Sequence, residues 1–171
     1  GGWNLLRMTP LSATSVLAGK LLAAAWPVLL LYAATLPGYG VMVAVQPEST
    51  HPVARVLVCQ GLTAALAVLI GAAASSVFRS TAAATAAAYL TLAAVCVVPL
   101  LVWLGRDAPF GRPTVQAALT LDPVAAALSA VGMPGFDGYD LLPANWWVIG
   151  GVCVALLALL IARTWRLTRP D

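Results

Sequence analysis

His51 is the only histidine in the chain, and it stands beside Pro52 in a short polar break between two apolar runs. A histidine-based metal site or general base needs partners at ligating or proton-transfer distance. The sequence supplies none: it has no HExxH, no pair of carboxylates inside an apolar run, and no serine in a GxSxG setting. Cys59, Cys96 and Cys153 are odd in number and each falls within an apolar stretch. That placement fits small buried apolar residues better than disulfides or metal ligands. The Gly19-Lys20 pair raises the possibility of a phosphate loop, but that motif needs glycine at position 14 and serine or threonine at position 21. Thr14 and Leu21 stand there instead. The chain is therefore read as having no catalytic, cofactor-binding or metal-binding residue of its own, and no ATP site.

The elements that would have to position any such chemistry are membrane spans. Hydrophobic residues make up 61% of the 171 residues, charged residues only 9%, and the mean hydropathy is +0.93, which lies far outside the soluble range. Crossing about 30 Å of hydrocarbon takes roughly 20 apolar residues. Stretches free of Asp, Glu, Lys and Arg long enough for this lie between Lys20 and Glu48, Arg55 and Arg79, Arg79 and Arg106, and Asp140 and Arg163. They predict helices over about 17–45, 54–77, 81–104 and 145–165. The expected fold is an all-α integral membrane bundle of four transmembrane helices in a single domain. A lead-in (1–16), an outer segment (105–144) and a tail (166–171) complete it.

Basic residues concentrate on the cytoplasmic side of spans. Four spans put both termini on one side, with Arg7, Lys20, Arg79, Arg163, Arg166 and Arg169, against Arg55, Arg106 and Arg112 on the other. Among the acids, Asp171 joins the first group, whereas Glu48, Asp107, Asp122, Asp137 and Asp140 join the second. This predicts a multi-pass protein of the cell membrane with both ends of the chain cytoplasmic. The net charge of +3 reflects that asymmetry rather than a nucleic-acid surface. No signal peptide is visible. Gly1 is not an initiator residue, so the expectation is that the chain begins within a longer gene product.

Pro10 breaks the lead-in and Ser12 is placed to cap the first long helix. Pro27 and Pro37 fall within that span, where kinks are tolerated once neighbours satisfy the freed carbonyls. "SSVFRST" is too short for anything but a tight turn, so spans two and three form a hairpin. Its "GAAASS" (71–76) and "TAAATAAA" (81–88) offer small faces for close helix packing. In the outer segment, Asp122 before Pro123 reads as an N-cap and helix start, and Gly132 as the stop. About ten mostly apolar residues cannot cross a bilayer, so this short helix is interfacial or re-entrant. "GMPGFDGYDLLP" reads as turn-rich loop, with Asn145 capping the last span. Lys20, Trp103, Trp146, Trp147 and Trp165 fall at the predicted boundaries, as interfacial anchors do. The spans carry Gln60 and some Thr and Ser but no central acid or base, which argues against ion coupling within this chain.

The opening stretch "GGWNLLRMTPLSATSVLAGKLL" resembles the cytoplasmic segment of type-2 ABC transporter permeases. That family shows Gly-Thr after an acidic residue, a leucine-rich turn, "TPLS", and Gly-Lys-Leu entering a span. Gly2, Leu5, Leu6, Thr9, Pro10, Leu11, Ser12, Gly19 and Lys20 match. Trp3 replaces the usual Thr, and the preceding acids would lie before Gly1. The resemblance implies that the four spans are the family's third to sixth, with the "LDP" at 121–123 where the family often has Asn-Pro or Ser-Pro. It also implies a permease subunit of an ABC exporter, docked on a separate ATPase subunit through Trp3, Leu5, Leu6, Arg7, Thr9 and Pro10. ATP and Mg would sit on that partner, and a second permease copy or homologous half would complete the route. Trp3 and Leu6, three apart, would give a short helix an apolar face for such docking. Two other classes compete with this reading: a non-transporting membrane scaffold or anchor, and an intramembrane enzyme, the latter disfavoured by the missing catalytic groups. The substrate is not readable from the sequence.

Overall fold

The computed structural model describes residues 13–107 and 109–168. Every regular element in them is helical: α1 (Ala13–Val45), a single 3-10 turn (Pro47–Ser49), α2 (Thr50–Val77), α3 (Thr81–Leu104), α4 (Arg112–Thr120), α5 (Pro123–Ala130) and α6 (Ala144–Thr168). Four of these, α1, α2, α3 and α6, are long and apolar enough to cross a membrane. The fold is an all-α bundle, and its composition makes it a multi-pass membrane protein.

Helix α1 runs 33 residues with Pro27 and Pro37 inside it. At about 1.5 Å per residue it is about 50 Å long, more than the hydrocarbon needs. Helix α2 begins at Thr50, a turn earlier than predicted. Pro52 falls in its first turn, where a missing N–H has no intrahelical acceptor to lose. Ser80 caps α3 by accepting the N–H of Ala83 at 3.2 Å.

Helix α2 is the centre of the bundle, touching α1, α3, α5 and α6. Leu66 and Ile70 of α2 meet Ile149 of α6, and Ala88, Leu92 and Val95 of α3 close around them. The small-residue faces do only part of what the sequence suggested. Ala84 is buried and Ala88 joins the packed cluster, but a Cβ added at Gly71 would meet nothing within 4 Å. Large aliphatic side chains hold α2 and α3 together at mid-bundle. Towards the turn, the small side chains are too short to fill the gap between the helices and leave a cavity.

The outer segment is more structured than one helix and a loop. Helix α4 starts with Gly111 as cap and Pro113 in its first turn, and it folds back on α5. Val115, Leu119, Ala125, Phe136 and Leu141 form a second core there, against Leu100, Trp103, Leu128 and Tyr139. The sequence reading missed α4 because its nine residues mix polar and apolar side chains and carry no side-chain cap.

Candidate functional site

The residues proposed for ATPase coupling, Trp3, Leu5, Leu6, Arg7, Thr9 and Pro10, lie outside the described residues, as does the Ser12 cap. What the structure positions is the machinery at the two ends of the bundle.

At the outer end, Asp122 Oδ1 accepts the N–H of Val124 at 2.8 Å, with Pro123 opening α5, as the Asp-Pro pair requires. The chain leaves α5 through Gly132, whose φ of +71° is the left-handed conformation that suits glycine. Asp122 is fully buried, and its Oδ2 has no hydrogen-bond partner. Burial pushes its carboxyl up to about 6, a rise only partly offset by N–H donors from Val124 and Ala125. Beside it lies Asn145, also buried. It does not cap the last span. Helix α6 begins at Ala144, so Asn145 is already inside the helix, and its amide donates to the carbonyls of Thr120 (2.8 Å) and Asp122 (3.3 Å). Those carbonyls flank the α4–α5 elbow, so one side chain ties that elbow to the entry of the last span.

Trp103 stacks on Phe136 (centroids 4.6 Å apart, planes 16° apart) and donates its indole N–H to the Gly135 carbonyl at 3.2 Å, while the Arg106 guanidinium lies 4.4 Å above its ring. Gly135 has a φ of +92°, and a Cβ there would stand 3.1 Å from the Trp103 ring. No other residue type fits both constraints. Arg112 holds the same loop by donating to the Gly138 carbonyl at 2.7 Å. Trp146 points its indole N–H at Cys59 Sγ, 3.3 Å away. Two of the tryptophans at the predicted boundaries, Trp103 and Trp146, thus carry specific packing within the protein. Trp147, 80% exposed, and Trp165, 56% exposed, face outward as interfacial anchors do.

Compared with protein families, curated proteins and solved structures, the chain matches none.

Concavities of different lining lie against α2. An outer cavity of about 680 Å³ is lined by Arg55, Ser129, Asp137, Tyr139, Asp140 and Trp146. An apolar groove of about 670 Å³ runs between α1 and α2, with the Tyr32 hydroxyl at one end donating to the Leu57 carbonyl at 3.0 Å. At the end where α2 turns into α3, a cavity of about 550 Å³ is lined by Lys20, Ser75, Arg79, Ser80, Thr81 and Thr85. Lys20 thus stands at a cavity mouth as well as at a span boundary. Among the described residues, no three His, Cys, Asp or Glu side chains come together to hold a metal. The arrangement offers polar concavities at opposite ends of one helix.

Proposed function

We propose that this chain is the membrane-spanning permease subunit of an ATP-driven ABC transporter, an exporter that takes its energy from a separate ATPase subunit. The observation that carries the proposal is the opening stretch, with "TPLS" and Gly-Lys before the first span, followed in order by a hairpin, an outer Asp-Pro helix and a last span. The stacking of polar cavities at both ends of α2 supports a translocation role, because a path through a bundle needs polar mouths in each leaflet. The charge asymmetry supports cytoplasmic termini in a cell membrane. Helix α1 supports pairing with a second permease copy or homologous half, since none of its most apolar window is buried within this chain. ATP binding on the partner would close two ATPase subunits, and the docking segment would pass that movement to the permease bundles as rigid bodies.

Capture of the full-length protein from its native membrane tests this directly. An ATPase subunit carrying a phosphate loop is expected in the captured complex, and Trp3→Ala combined with Leu6→Ala should reduce its recovery about tenfold, the cost of losing two apolar anchors. A complex without any ATPase would favour the scaffold reading. Transport that stays fully coupled in the double variant would overturn the docking role.

A further inference from the structure

We infer that the cavity between α1, α2 and α3 binds the phosphate headgroup of an anionic phospholipid from the adjacent leaflet. Three elements bring polar groups to its mouth: Lys20 from α1, Ser75 from α2, and Arg79, Ser80 and Thr81 from the turn that opens α3. None of the lining residues is acidic. The acids Glu48, Asp107, Asp122, Asp137 and Asp140 all lie at the opposite end of the bundle. Two cations therefore converge on a concave site with no carboxylate among its walls, at the depth where a membrane carries its headgroups. Basic pockets between transmembrane helices take anionic headgroups in this way. The first turn of α3 adds its positive dipole end to the same mouth.

The inner wall says which kind of anion fits. Behind the mouth the lining changes to Gly71, Ala84, Ala88 and Leu92. From Thr81 to Leu92 the helix rises about 16 Å, half the thickness of the hydrocarbon. A free phosphate would use only the mouth. A phospholipid would place its phosphate between Lys20 and Arg79 and lay its chain along Ala88 and Leu92 for the depth of one leaflet. The small side chains of the hairpin keep that slot open, and around Gly71 there is open space.

Native mass spectrometry of the full-length protein, released from detergent containing equal amounts of phosphatidylglycerol and phosphatidylcholine, reads this preference. Retention of phosphatidylglycerol over phosphatidylcholine by about thirtyfold is expected, from about 1 kcal/mol for each of two cations near a headgroup. Lys20→Gln with Arg79→Gln should reduce that preference to about twofold or less. A Cβ at Gly71 would meet nothing within 4 Å, so Gly71→Leu extends into the slot without touching the charges, and it should lower retention of both lipids. Arg163→Gln removes a cation from the same end of the bundle but outside the cavity, and it should leave the preference intact. Equal retention of the two lipids by the unaltered protein would overturn the inference. So would an Arg163→Gln loss as large as that of the double variant, which would mean diffuse surface charge. Displacement of phosphatidylglycerol by millimolar inorganic phosphate would assign the site to a soluble anion and overturn its assignment to lipid.

Discussion

The Asn145 side chain donates to the backbone carbonyls of Thr120 and Asp122, 25 and 23 residues earlier in the chain, and all three groups meet at the join between the outer helices and the last span. Thr120 ends α4, so its carbonyl has no intrahelical donor, and burying it without one costs about 1–3 kcal/mol, whereas the Asp122 carbonyl also accepts the Ala126 N–H at 3.1 Å. Asn145→Ala is therefore expected to lower stability by about 1–3 kcal/mol, read as a fall in the thermal midpoint of the full-length protein in detergent. Asn145→Asp should be worse, since it sets a carboxylate against two carbonyls and beside the Asp122 carboxyl.

Asp122 makes the outer end sensitive to pH. Its folded-state pKa of about 6 lies above the ordinary 3.8. Between those values the folded protein holds a proton that the unfolded chain has released, so stability falls as pH rises through that window and stays lower above it. A shift of this size corresponds to about 3 kcal/mol. Thermal midpoints measured from pH 4 to 7.5 should decline in the unaltered protein. Asp122→Asn keeps an acceptor for the Val124 N–H and should flatten the profile.

Trp103 and Trp147 should separate cleanly. Trp103→Ala removes the stack on Phe136, the bond to Gly135 and the contact with Arg106, at a cost of about 3–5 kcal/mol. Trp147→Ala, on an exposed ring, should change stability by less than about 0.5 kcal/mol. Denaturant unfolding of both variants in one detergent checks the contrast.

Cys59 is 1% exposed and receives the Trp146 indole N–H. A maleimide too bulky to enter the core should label it only after denaturation. Trp146→Ala should open it to labelling in the folded protein, and Trp146→Phe should not, because the ring rather than the N–H covers the sulfur. Labelling followed by peptide mapping distinguishes Cys59 from Cys96 and Cys153.

The sequence determined the four spans, because each is a run of apolar residues bounded by charges, and hydrocarbon admits such a run only as a helix. It also determined the start of α5, since Asp-Pro encodes a cap and a first turn within two residues. Neither feature depends on distant neighbours. The tertiary structure alone decided that Asn145 bolts the elbow instead of capping its own helix, that Trp103 and Trp146 turn inward, and that a loop with five turn residues closes over a second core. Those outcomes depend on partners 23 to 87 residues away, which no local pattern encodes. The cavity beside Lys20 and Arg79 has the same origin. Small residues in α2 and α3 were legible as a place where helices approach, but whether the space between them closes depends on the large side chains at mid-bundle that set the helices apart.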